Sequence, residues 1–304
     1  MNNKFFLLTG FLTGVFTMVH AQAAPTKKVY TYTGIKGQEQ KMEVYLPDGH
    51  KPSDKRPCFI FFHGGGWKSG VLNEGRPLCT YLASRGIVTL TASYSMHPDA
   101  KKAALSDPDA INEPLKLPEG ESRKRICVID GKTVIRWAKK NADELGIDPD
   151  RIITSGASAG GHIAVLQMMD DQFNNPNDPE EVDTTVQAFV LLCPAFTLPK
   201  KDKVPDVNVF QYVDKKFPPT LFIVGEKDFW LKASNPLAEQ LIEKNNDVEV
   251  WMAHGAGHMF HRQKNWYPTT KIMVDRFLVD HGFLEGQSPL EPVSDEFELK
   301  PVQF

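Results

Sequence analysis

The chain has 304 residues, 41% of them hydrophobic and 24% charged, with a formal net charge of -3, which is ordinary for a folded protein of one large domain or two small ones. So slight an acidic excess gives no electrostatic reason to expect nucleic acid or an anionic membrane surface as a partner, and it suits a neutral or weakly charged small substrate. Lys4 opens a segment in which Phe5 to Val19 is largely apolar and uncharged, followed by Ala21-Gln22-Ala23 in an A-x-A arrangement. This reads as a signal peptide over 1–23, because the apolar run falls short of the roughly 20 residues a membrane span needs. The mature chain is then expected to begin between Gln22 and Pro25, secreted or periplasmic, with no stable membrane anchor.

Beyond the leader, Val29 to Thr33 and Lys41 to Tyr45 alternate in polarity around Lys36-Gly37, as a β-hairpin does. Pro57 to Phe62 reads as a buried strand, Pro77 to Ser84 as a helix and Ile87 to Tyr94 as a further strand. Asp130 to Leu145 has helical periodicity, with Asp130 as its expected N-cap. Arg151 to Ser155 is a strand running into a small-residue turn and a helix over Ala159 to Met169. Strands follow at Ala188–Cys193, Thr220–Val224 and Val248–Met252, with helices at Ala233–Lys244 and Tyr267–His281. Near-continuous apolar strands alternating with helices predict an α/β fold whose sheet is mostly parallel and covered on both faces. Eight strands with an antiparallel start are expected, in one domain over 27–284. The tail over 285–304 is polar and acidic, and reads as a loose strap or a disordered end. The segment 95–122 is rich in Pro, Asp and Lys without periodicity. It is either a surface insertion or a wall of the ligand cleft, since it follows the C-terminal end of a predicted parallel strand.

Four motifs carry chemistry. Gly156-Ala157-Ser158-Ala159-Gly160 is G-x-S-x-G, weak alone but here set between a strand and a helix, as a nucleophile turn requires. His63-Gly64-Gly65-Gly66-Trp67 ends an apolar strand, and its glycines free backbone N–H groups to face an oxyanion. The expected donors are Gly65, Gly66 and Ala159. A serine hydroxyl needs a base and the base an orienting acid, in the chain order Ser, acid, His. Asp228, after the strand TLFIVG, is preferred to Glu226 as the acid. His258, on the loop after VEVWM, is preferred to His254, which is nearly still on the strand. His162 reads as a locally packed helix residue and His63 as a brace for the glycine loop. Trp67 and Trp230 are candidates for lining the substrate pocket, with core burial as the alternative for each. No C-x-x-C pair occurs among Cys58, Cys79, Cys127 and Cys193, so no metal is expected. Cys58 and Cys193 read as core thiols, whereas Cys79 and Cys127 remain open to a disulfide in an exported chain.

Taken together, HGGGW, GIDPDRI with GASAGGH, VGEKD and GAGH resemble the α/β-hydrolase superfamily, within it the esterases related to hormone-sensitive lipase and to bacterial feruloyl and acetyl esterases. That resemblance implies a carboxylic ester hydrolase with a Ser-Asp-His triad and no cofactor. Two departures matter. The chain reaches its first strand within a few residues of the leader, leaving no N-terminal helical cap, and 196–219 is too short for a lid domain. An open site for short-chain or carbohydrate-linked acetyl or feruloyl esters is the implication. A serine exopeptidase of the prolyl-oligopeptidase type and an inert hydrolase-fold binding protein are the alternatives. The oligomeric state is not legible.

Overall fold

The computed structural model describes residues 24–96, 122–201, 204–291 and 294–304. The expected signal peptide over 1–23 and nearly all of the 95–122 segment lie outside these residues. Among the described residues, nine strands form one sheet in the order β1-β2-β4-β3-β5-β6-β7-β8-β9. β1 (Thr26–Thr33) and β2 (Glu39–Leu46) make the expected antiparallel hairpin, and β2 then pairs antiparallel with β4 (Val88–Ala92). β3 (Arg56–Phe62), β4, β5 (Ile147–Ala157), β6 (Ala188–Leu192), β7 (Thr220–Gly225) and β8 (Val248–Ala253) are parallel.

Period-two alternation divides the core into two layers. On β3, Phe59 and Phe61 face one side, where α1 (Arg76–Ser84) and α6 (Tyr267–Asp280) bring Leu78, Leu82, Val274 and Phe277. Ile60 and Phe62 face the other, against α2 (Arg123–Lys140), α4 (Ala159–Leu166) and α5 (Leu231–Glu243) with Val128, Ile163 and Leu237. A short helix, α3 (Ala142–Leu145), ends at Gly146 in the left-handed region and leads into β5. Each large side chain so buried contributes roughly 1.5–3 kcal/mol. No helix among the described residues is long and apolar enough to cross a membrane.

Three expectations are corrected. The sheet has nine strands where eight were expected, because the tail returns and Leu299–Pro301 pairs antiparallel with Trp251–Ala253 as β9. Leu299 is buried there, an apolar anchor in a segment whose average polarity hides it. Helix α2 begins at Arg123, not near Asp130, and Ser122 caps it by accepting from the N–H of Arg125. Its first turn is Arg-Lys-Arg, which masks the helical pattern. Asp130 is mid-helix and fully buried, and its two oxygens accept the N–H groups of Ile35 (2.8 Å) and Ser95 (2.7 Å). Burial raises its pKa, and those hydrogen bonds only partly oppose the rise. Finally, the four cysteines are all buried free thiols, so Cys79 and Cys127 are not joined. Their sulfurs meet the carbonyls of Leu90 and Ser95 respectively.

Candidate active site

The C-terminal ends of the parallel strands gather the motif residues. β5 ends at Ala157, and Ser158 turns the chain with φ 52° and ψ -116° into α4. An L-residue in that region costs about 1–3 kcal/mol and persists only where neighbours hold it. Here Ser158 N–H donates to the Leu192 carbonyl (3.0 Å), and the Ser158 carbonyl accepts from Ala195 (2.9 Å) and Gly161 (3.1 Å). The glycines of the motif permit close approach of helix and sheet: a Cβ on Gly160 would collide with the Phe62 carbonyl, and one on Gly156 with Gly160. Strain is concentrated at this end of the sheet. Of six described non-glycine residues with positive φ, Trp67, Ser158, Cys193 and Met259 all belong to the site or its immediate supports.

Asp228 lies on the turn after β7, closed by its own N–H donating to the Gly225 carbonyl. His258 lies on the loop after β8. The His258 Nδ1 to Asp228 Oδ2 distance is 2.8 Å, and His258 Nε2 to Ser158 Oγ is 3.0 Å. A carboxylate only accepts, so the imidazole proton sits on Nδ1 and the Nε2 lone pair receives the Ser158 hydroxyl. Asp228 Oδ1 accepts the Trp230 N–H (2.9 Å), which leaves Oδ2 for the histidine. The rival acid and base find each other instead. Glu226 accepts the Gly255 N–H at 2.7 Å and lies 3.7 Å from His254, both exposed, while Ser158 Oγ meets His258.

The glycine loop follows β3. Gly65 has φ 128° and Gly66 φ 63°. The Gly65 carbonyl accepts from the N–H groups of Lys68 and Ser69, closing a tight turn. A Cβ on Gly65 would run into the Ser69 backbone, so glycine is required there. Among the described residues no acceptor takes the N–H groups of Gly65, Gly66 or Ala159. A Cβ on the preceding Gly64 would sit 3.4 Å from the Ser158 Cβ, so this loop borders the nucleophile directly. His63 is fully buried, stacked on Tyr94 at 4.3 Å, and its Nδ1–H donates to the Gly64 carbonyl (2.8 Å). Burial lowers its pKa.

The two tryptophans separate. Trp67 is only 5% exposed, and its indole N–H donates to His162 Nδ1 (3.3 Å) while His162 Nε2–H donates to the Val207 carbonyl (2.8 Å). It therefore backs the glycine loop from the core. Trp230 is half-buried beside Phe229. Phe229, not singled out in the sequence, is 56% exposed and lies 4.8 Å from the His258 ring. Two further neighbours escape sequence reasoning. Cys193 reads as a core thiol, yet its sulfur lies within 4.8 Å of ligand atoms of both Asp228 and His258. Glu74 is a buried carboxylate under the glycine loop, and no spacing rule points to a single acid in VLNEG.

A serine at a strained strand-to-helix turn, a histidine on Ser158 Oγ, a buried acid on that histidine and unclaimed amides beside them define a serine hydrolase of the α/β-hydrolase fold. Comparisons with known proteins agree. The BD-FAE family model matches residues 121–194. Thermogutta terrifontis esterase 2 phosphorylated by paraoxon is 30% identical with a TM-score of 0.75, over 87% of this chain and 98% of that one. Its butyrate-bound form is 28% identical with a TM-score of 0.73, over 86% and 96%. Esterase LipC of Mycobacterium tuberculosis is 26% identical over 242 residues, 69% of this chain and 54% of LipC. An AB hydrolase superfamily protein of Schizosaccharomyces pombe is 32% identical over 124 residues, 40% of this chain and 30% of that protein. The chain thus spans about half or less of the length of these curated relatives. It belongs to the serine esterases of the α/β-hydrolase fold.

Proposed function

We propose that this protein hydrolyses carboxylic esters with short acyl groups through a covalent acyl-enzyme. The observation that carries the reading is the continuous hydrogen-bonded chain Asp228–His258–Ser158 beside unclaimed backbone amides. Ser158 Oγ attacks the ester carbonyl while His258 Nε2 takes its proton, and Asp228 stabilises the resulting imidazolium. The carbonyl oxygen becomes an oxyanion facing the N–H groups of Gly65, Gly66 and Ala159. As the carbon–oxygen bond breaks, the leaving alcohol takes the proton from Nε2. Water then gives its proton to His258 and attacks the acyl carbon, releasing the acid and restoring Ser158. No step calls for a metal or cofactor.

A short acyl group is supported by the absence of a cap among the described residues, where the β6-to-β7 connection carries only short 3-10 turns. It is also supported by the relative captured with butyrate. Carbohydrate-linked acetyl or feruloyl esters are the finer reading, resting on the BD-FAE match. A panel of p-nitrophenyl acyl esters and aminoacyl-nitroanilides tests the class. Hydrolysis of C2–C4 esters is expected, with a loss of about 10⁴-fold or more in Ser158→Ala. Activity on anilides alone would favour an exopeptidase, and unchanged ester hydrolysis in Ser158→Ala would remove the nucleophile. Release of acetate or ferulate from polysaccharide separates the finer reading from simple esters.

A further inference from the structure

Glu74 ends the 3-10 turn Leu72–Glu74, and its side chain is 4% exposed. A buried carboxylate is costly unless its oxygens are matched to donors. One oxygen, Oε2, accepts the Gly64 N–H at 2.9 Å. The other lies 3.7 Å from Nε2 of His261, which follows the triad histidine by three residues on the 3-10 turn Phe260–Arg262. Glu74 therefore touches both loops that build the site, the glycine loop on one side and the His258 loop on the other. Gly64 is the residue immediately before the two expected oxyanion donors and lies against Ser158. The opposite end of the same loop is closed by the Gly65 carbonyl with Lys68 and Ser69. Held at both ends, the amides of Gly65 and Gly66 have little freedom to swing away.

We propose that Glu74 is a positioning residue for catalysis: by accepting the Gly64 N–H it fixes the glycine loop so that the Gly65 and Gly66 amides meet the oxyanion as it forms. This rests on the esterase reading and extends it to a residue that touches no substrate atom. The chemistry required is hydrogen-bond acceptance, so an amide in place of the carboxylate serves and a methyl does not. A loose loop raises the barrier without altering how the ground-state ester binds, since the oxyanion exists only beyond the ground state.

The experiment compares Glu74→Ala and Glu74→Gln in the full chain on a short p-nitrophenyl ester, with an alkyl boronic acid as the tetrahedral probe. Glu74→Ala is expected to lower kcat on the order of 10–100-fold and to weaken boronate inhibition in parallel, with KM changing less than about threefold. Glu74→Gln is expected to recover kcat to within about threefold. The proton NMR signal of His258 Nδ1–H should be the same in all three proteins, showing the triad intact. A folded Glu74→Ala with native kcat and boronate affinity overturns the proposal, as does equal loss in Ala and Gln. Should Glu74→Ala not fold, the Gly64 amide proton of the native protein decides. A downfield, slowly exchanging signal is expected, and an ordinary one overturns the bond on which everything depends. A native chain inactive on every ester defeats the esterase reading, while the Gly64 signal still reports on the bond itself.

Discussion

Asp228 and Glu226 are two residues apart, and their fates differ because of what each oxygen meets. The Asp228 carboxylate is buried and shared between the Trp230 N–H and His258 Nδ1. Glu226 projects outward to the Gly255 N–H, which lowers its pKa but commits it to the loop surface. Asp228→Asn should drop kcat by about 10³–10⁴-fold, because an amide stabilises the imidazolium poorly and admits the wrong tautomer. Glu226→Gln should stay within about twofold of the native rate, as an exposed surface substitution does. Steady-state kinetics on one ester checks both, and a large loss in Glu226→Gln would exchange the two roles. Trp67 gives the same lesson. Beside a catalytic loop in sequence, it is directed into the core by a positive φ and by the His162 acceptor.

At the scale of elements, the active end depends on supports far from it in sequence. Helix α2 carries Asp130, whose carboxylate joins the end of the β1–β2 hairpin at Ile35 to the chain leaving β4 at Ser95. Asp130→Ala leaves a buried and a part-buried backbone donor without a partner, so it should lower unfolding free energy by about 2–4 kcal/mol. Asp130→Asn keeps one acceptor oxygen and should lose less. Urea denaturation of the three proteins checks the order, and a neutral Asp130→Ala would show that the two N–H groups find other partners. The same helix shows why its start is not evident from local pattern. Asp is a good cap in isolation, but Ser122 takes that position, and only the fold creates two distant N–H groups for Asp130 to receive.

For the whole molecule, the buried ionisable groups set a direction for pH dependence. Glu43 on β2 pays for its burial with hydrogen bonds from Arg76, Tyr45 and Lys27, and these outweigh desolvation to hold its pKa below the usual value. At Glu74, burial raises the pKa, but His261 and Arg262 bring the net value below the usual one. Each carboxylate binds its proton less readily folded than unfolded, so its contribution is whole above the ordinary carboxylate range and is lost as pH falls through the folded value. His63, lowered by burial, acts in the same sense. Its contribution is whole above its unfolded value of about 6.5 and is lost as pH falls below that. Asp130, raised by burial, opposes them over the acidic carboxylate range. Thermal midpoints should therefore be level from pH 8 to about 7, begin to fall below about 6.5 and fall steeply below about 4.5. A midpoint that rises on acidification would contradict this assignment of signs.

The sequence by itself determined the doubly covered parallel sheet, the order of its elements and the four motifs, because strand periodicity, glycine turns and chain order are local properties. It also ranked Asp228 and His258 above their neighbours, since distance from the end of a strand governs how far a loop residue can reach. The tertiary structure decided what depends on non-local partners. The ninth strand exists because β8 leaves an edge that Leu299 and its neighbours cover. Asp130 is an interior tie because the hairpin and the β4 exit converge on it. Cys193 and Glu74 stand beside the triad and the glycine loop because parallel strands bring their C-terminal ends together. Proximity of that kind has no period, and no spacing along the chain records it.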